Sequence, residues 1–279
     1  MHSAASHPSG RARAGRLALA AATLAAAGCW QRVPDAEAPA RLAAGARVSS
    51  VRCALRLFLR DRESDNRIAT KGHLASARGE EMRLRAQGRH LGTTIFDLAV
   101  YGDELALSVP PKKKFFHGSL REALARRALG FPPAAAHLSA VDLLFPGASA
   151  LAAGEAALAL DARSAVLTRP GEGDRPALRV RYKRPGLRPR EMRLLSAAEP
   201  GRVLAVVTYE AWTEIGGLAV PTRLEARIGD RALVTATFSR ITLDAKLPER
   251  LFDLAPPPGA ERVNVATLRR STSGKGSGP

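Results

Sequence analysis

The chain is poor in the residues that staple, ligate or react. Two cysteines, Cys29 and Cys53, stand in 279 residues, which excludes a disulfide framework. The six histidines, at 2, 7, 73, 90, 117 and 137, include no pair at the H-x-x-x-H spacing that sets two imidazoles on one helix face for a metal. Neither a Gly-x-Ser-x-Gly elbow nor a phosphate-cradling P-loop is present. Glu80 with Glu81 and Asp97 with Asp103 are accounted for by strands and turns, and His117 beside Lys114 has no acid–base partner in view. The expectation is a protein that is not an enzyme and that needs no cofactor.

Acidic residues are also few, 26 against 43 Lys and Arg, for a net charge of +17. Such a charge favours anionic partners. In an exported protein these are lipid head groups rather than nucleic acid. The competing reading is a solvated basic surface without one dedicated site, since only Lys112-Lys113-Lys114 forms a compact cluster.

No apolar run reaches the roughly 20 residues of a bilayer-spanning helix. The stretch Leu17 to Ala27, free of charge and preceded by Arg11, Arg13 and Arg16, has the layout of a secretion signal. It closes on Leu24-Ala25-Ala26-Ala27-Gly28-Cys29, which resembles the lipobox of bacterial lipoprotein precursors, departing from it at Ala26, where leucine is usual. The resemblance implies a signal peptide over 1–28, diacylation of Cys29 as the new N-terminus (a palmitate-type anchor), and a lipidated tether over 29–46. An ordinary signal with an incidental cysteine is the alternative. Trp30 after the cysteine, rather than Asp, points to the outer membrane by the enteric sorting rule.

From Val51 the period becomes two. Val51, Cys53, Leu55, Leu57 and Leu59 alternate with Arg52, Arg56 and Arg60, as in a strand with one wet face. Cys53, on the dry side, reads as a small buried hydrophobe rather than a nucleophile. Alternation returns over Ile68–Ser76, Met82–Ala86, Phe96–Val100 and Leu105–Val109, five strands joined by short turns. Ser119 and Glu122 then open a helix with a capping box, through Leu120, Leu124 and Leu129 to Gly130. A second helix carries Leu138, Val141, Leu143 and Leu144 and stops at Pro146-Gly147. Six strands follow between Ala165 and Ile241, and 248–252 forms a final helical turn. Residues 263–279, Ser/Gly/Lys-rich from Arg269, have no means of packing and read as a disordered tail. The fold class is therefore α+β: about eleven strands curl into an antiparallel half-barrel over 47–262, with helices covering its apolar concave side.

Gly88-Arg89-His90-Leu91-Gly92-Thr93-Thr94, between the third and fourth strands, resembles a loop of the LolA/LolB-like lipoprotein-sorting family, and of its LolB-like lipoproteins in particular. Leu143-Leu144-Phe145-Pro146-Gly147 resembles that family's Leu-rich segment, and Tyr209 followed by Leu218–Leu224 its late hairpin. The resemblance runs from about 47 to 255. It implies a membrane-anchored lipoprotein of the cell envelope, at the outer membrane and facing the periplasm. Such a protein binds acyl chains of lipoproteins or lipids and inserts them, with the membrane surface and a periplasmic carrier protein as partners. Leu91 would be the membrane-inserting residue. Leu55, Leu57, Leu59, Leu84, Phe96, Leu98, Phe116 and Leu144 would line the acyl cavity. Two alternatives stand beside this: Leu91 tucked back on the sheet, and the inward rows forming a filled core in a structural or interaction lipoprotein of the same fold.

Overall fold

The computed structural model describes residues 33–61, 67–125, 139–229 and 232–268; the expected signal, Cys29 and the chain beyond Leu268 lie outside them. Alternating apolar and polar side chains build β1 (Ser50–Asp61), β2 (Arg67–Ala77), β3 (Arg83–His90), β4 (Thr93–Tyr101) and β5 (Glu104–Val109), each antiparallel to the one before. Pro110 and Pro111, which have no N–H for a ladder, take the chain through a 3-10 turn. A sixth strand, β6 (Lys114–Ser119), then returns against β5.

After a short helical block, β7 (Ala157–Leu160), β8 (Ser164–Arg169), β9 (Ala177–Lys183), β10 (Arg188–Leu195), β11 (Val203–Ile215), β12 (Leu218–Ile228) and β13 (Ala232–Leu243) form a second meander. It closes back on the first: β13 pairs antiparallel with β1, Leu55 opposite Phe238, Leu57 opposite Ala236 and Leu59 opposite Val234. β14 (Glu261–Asn264) adds to β6 in parallel. The result is one 14-stranded sheet with β14 and β7 at its edges, curved because twist accumulates from strand to strand. It exceeds the expected eleven strands by β6, in which Phe115 and Phe116 break the alternation, and by β7 and β14, four residues each.

Helix is a minor component, which corrects the α+β expectation towards a mostly antiparallel, unclosed sheet. Among the described residues the α-helices are α1 (Ala38–Ala43), α2 (Leu120–Ala125), α3 (Ala140–Leu144) and α4 (Ala148–Ala152), none longer than six residues. Pro146 and Gly147, the latter at φ 77°, separate α3 from α4. The Ser119 hydroxyl accepts from the Glu122 amide at 3.1 Å as the capping pattern requires. The remainder of that expected helix, and Leu138, lie outside the described residues. Ser139 and Asp142 make a second, reciprocal capping box on α3.

Two apolar clusters hold the helices to the concave face. Val141, Leu144 and Phe145 pack with Leu167, Val180, Met192 and Tyr209, while Leu120, Ala123 and Leu124 pack with Val100, Leu105 and Val265. Tyr209 donates its hydroxyl to the Leu143 carbonyl at 3.0 Å, and Tyr182 donates to that of Pro146. The α3–α4 link is thereby fastened to the sheet.

Both ends of the expected half-barrel move outward. Val33, Ala38 and Leu42 are buried in the main cluster, and Arg184 donates to the Val33 carbonyl at 2.8 Å, so the described part of the expected tether is docked. Val265, wholly buried, likewise brings the first residues of the expected tail into the fold. On the convex side Arg85 grips both Asp97 oxygens at 2.6 Å and donates to the Asp253 carbonyl at 2.9 Å, holding a C-terminal strap whose Phe252 is buried.

Burial pushes the Cys53 thiol from 9.0 up to about 12 and raises both phenols, Tyr209 also feeling Tyr182. Folding thus favours the neutral forms. Their contribution to stability is fully present below the unfolded-state values and is lost as pH rises through the folded ones. Denaturant midpoints should hold level up to about pH 8.5 and fall above it. In a Cys29→Ser chain, Cys53 should react with a thiol reagent only on unfolding.

Candidate functional site

Side chains on alternate positions of β1 face the concave side, and their burial falls along the strand. Val51, Cys53 and Leu55 are buried, whereas Leu57 and Leu59 are half-exposed. Neighbouring strands repeat this in register. Phe238 and Ala236 on β13 are buried and Val234 half-exposed; on β12 Leu224 is buried and Ala226 half-exposed; on β2 Leu74 is buried and Ile68 is 45% exposed. Ile68, Leu59, Val234 and Ala226 lie directly opposite one another across four strands. They form an apolar row at one end of the concave face.

The same end carries the β3–β4 hairpin. Leu59 pairs with Ile68 and Lys71 with Arg89, so the tip beyond His90 projects from the end at which β1 finishes and β2 begins. Leu91 there is 93% exposed. Its φ is 47° and that of Gly92 is 84°, both left-handed, which is the type I′ geometry of a two-residue hairpin. A leucine in that region costs roughly 1–2 kcal/mol, and leaving it in water forgoes its burial. Five large hydrophobics are exposed among the described residues: Phe58, Ile68, Leu91, Tyr101 and Val203. Four of them belong to this end; Val203 joins it because its neighbour Ala205 pairs with Ile228 and Ile228 with Ala232. The fifth, Tyr101, is covered by Arg83, 5.1 Å from its ring centroid.

Charge accompanies the apolar end. Across the convex face Arg223, Thr237, Arg56, Lys71 and Arg89 stand opposite one another in sequence, although like charges placed so repel. Arg89 donates to the Gly92 carbonyl at 2.8 Å, which carries the cationic row to the hairpin tip.

The eight expected cavity residues differ in burial, and six of them, Leu55, Leu57, Leu84, Phe96, Leu98 and Leu144, belong to or pack against one apolar cluster. Leu144 and Leu55 are core. Leu57, Leu59, Leu84, Phe96, Leu98 and Phe116 are half-exposed, with Phe96 folded over Gly88, where a Cβ would stand 2.2 Å from its ring. None of the eight borders the cleft of about 290 Å³ found between the two meanders. Phe58, Ile68 and Val203 escaped the sequence reading. Phe58 had left a trace, as an apolar residue in the wet row between Arg56 and Arg60. Among the described residues no group of three or more His, Cys, Asp or Glu is placed to hold a metal.

A large, curved, unclosed antiparallel sheet with an apolar inner face is the LolA-like fold, and solved structures agree. A DUF1329 family protein from Desulfovibrio piger superposes with a TM-score of 0.54 at 10% identity, over 78% of this chain and 95% of that one. A LolA superfamily protein from Nitrosomonas europaea gives 0.50 at 15%, over 80% and 99%. A domain from Vibrio parahaemolyticus named a putative outer membrane lipoprotein-sorting protein domain gives 0.51 at 12%, over 74% and 89%. No protein-family model and no curated protein matches the sequence. At these identities the likeness establishes the fold and nothing finer.

If the left-handed backbone at Leu91 is a cost, asparagine, which tolerates that region, should relieve it. Leu91→Asn is expected to raise Tm by about 2–4 °C, as ~1 kcal/mol does in a domain of this size. Calorimetry of the two chains checks it, and a fall in Tm would mean that Leu91 packs.

Proposed function

We propose that this protein is a noncatalytic, lipid-anchored carrier of the cell envelope. In this reading it holds acyl chains of lipoproteins or lipids against the apolar end of its concave face and delivers them to the outer membrane, as a LolB-like lipoprotein. The observation that carries the reading is the gathering of Phe58, Ile68, Leu91 and Val203 at one end of the sheet, beside the Arg56–Lys71–Arg89 row. An exposed apolar group rimmed by cations fits the interface of an anionic bilayer, where apolar burial and attraction to head groups add. Acylation of Cys29, outside the described residues, would hold the protein at the membrane, since two or more chains anchor a protein stably.

A second reading, a structural or interaction lipoprotein with a filled interior, draws on the burial of Leu55 and Leu144. Acyl binding separates the two. A solvatochromic fatty-acid probe should bind the folded Cys29→Ser chain saturably and be displaced by phospholipid on the carrier reading; no saturable binding favours the scaffold.

Leu91→Glu tests the delivering end. Inserting one leucine is worth roughly 1.5–3 kcal/mol, so this change in the Cys29→Ser background should lower partition into anionic vesicles at least tenfold while leaving Tm within a few degrees. The residual binding should weaken further as salt screens the basic row. Undiminished vesicle flotation by Leu91→Glu would remove the insertion role. In cells, Cys29→Ser alone should release the protein from the membrane fraction.

A further inference from the structure

Arginine on an apolar row needs an explanation, and Arg169 is one. On β8 it follows Ala165 and Leu167 on the inward-facing side, both wholly buried, and it is itself only 9% exposed. One guanidinium nitrogen donates to the Pro176 carbonyl at 2.7 Å; Nε is buried with no partner. Among the described residues no carboxylate lies within salt-bridge distance of it. Burial and the nearby Arg175 work against its charge, while Glu155 and Asp142 favour it from beyond salt-bridge distance. A guanidinium removed from water without an ion-pair partner is costly, and this one is held at the wall of a cleft.

That cleft, about 290 Å³, opens where the β2–β3 turn of the first meander faces β8–β10 of the second, with α3 and α4 between them. Arg78 and Arg175 line it as well. Arg78 pairs with Asp142 at 2.7 Å, yet its Nε too is buried and unpartnered; Arg175 is paired with Glu155 at 2.9 Å. Asp142 is the one carboxylate on the cleft wall against three arginines. The floor is Leu178, Met192 and Leu194, all buried.

We propose that this cleft binds the phosphate group of an amphiphile, with Arg169 as the principal ligand, Arg78 and Arg175 as flanking cations, and Leu178, Met192 and Leu194 under the first methylenes of the chain. Three arginines bordering one cleft, two of which can exchange a carboxylate for a ligand oxygen, suit the several oxygens of a phosphate better than the two of a carboxylate. The apolar floor distinguishes a phosphorylated amphiphile from free phosphate. The volume stands at the lower limit of ligand pockets, enough for a head group and the start of a chain. The site is separate from the Leu91 end and does not depend on that end's role.

Titration calorimetry on the full chain tests this with hexyl phosphate, inorganic phosphate, hexanoate and hexanol. Hexyl phosphate should bind at least tenfold more tightly than each of the others. Equal affinity for inorganic phosphate would overturn the amphiphile assignment, and tighter binding of hexanoate would overturn the phosphate assignment. Arg169→Gln should weaken hexyl phosphate at least tenfold, while Leu91→Glu should leave it unchanged even if vesicle delivery is lost. Arg169→Met supplies the control for a structural role: removing an uncompensated charge should hold or raise Tm while abolishing binding. A large fall in Tm in Arg169→Met, or full hexyl phosphate affinity in Arg169→Gln, would overturn the proposal.

Discussion

The pairing of β1 with β13 is the constraint on which the molecule turns. Its register runs from Val51 opposite Leu243 to Asp61 opposite Ala232, joining segments at opposite ends of the described chain. Without it there are two meanders, each with a free edge and half an apolar face. With it, the inward rows of both become one surface, and Ile68, Leu59, Val234 and Ala226 fall into line. Because a one-residue slip would turn every side chain to the other face, the alternation of leucine with arginine on β1 specifies this register strongly. Closing so long a loop costs chain entropy before the contacts it brings can repay it, which makes the β1–β13 seam the most expensive closure in the sheet.

Along the joined surface the two ends differ in kind. At one, α3, α4 and the segment from Val33 to Val48 fill the concavity, and the phenols of Tyr182 and Tyr209 satisfy carbonyls that the short helices leave open. At the other, apolar side chains remain partly wet and the hairpin tip holds a leucine in a conformation leucine disfavours. A sequence selected only for stability would place asparagine or glycine at that turn and a polar residue at Phe58. Leu187, at φ 49° in the β9–β10 turn, is buried and its packing repays the same strain; at Leu91 nothing in the fold repays it, which on the carrier reading marks where function has been weighed against stability.

Much of this was legible beforehand, for reasons of period. Five of the first six strands and the six from β8 to β13 are long enough for period two to show, and both the capping signature at Ser119 and the break at Pro146-Gly147 have a local cause. β6, β7 and β14 were not legible: β7 and β14 have four residues each, β6 sets Phe115 beside Phe116 and so breaks the alternation that β5 and β8 show at the same length, and β14 depends on an edge offered by distant residues. Exposure of Leu91 could be framed only as a choice, because a hairpin tip and a tucked loop share one sequence; its positive φ settles the orientation. The differing burial of the expected cavity residues was hidden for a related reason. Strand parity tells which way a side chain points, not how far along the strand the helices reach, so Leu55 and Leu57 share a face and differ in burial. Arg169 had left a trace in the spacing Ala165, Leu167, Arg169, but a cation on an apolar row gains company only when the opposite wall supplies Arg78 and the β8–β9 turn supplies Arg175.

A partly wet apolar row also suits release better than a closed cavity would. Affinity for an acyl chain scales with the apolar area removed from water, about 25 cal/mol per Å². An open row covers such a chain on one side, whereas a bilayer surrounds it. Transfer from row to membrane is then downhill without chemistry, provided that the two surfaces meet. On the carrier reading, the cationic row and Leu91 bring that meeting about at the end of the sheet where the apolar row lies. A deeper pocket at the same place would bind more tightly and surrender less, so on that reading the shallow burial of Leu57, Leu59 and Val234 would favour release.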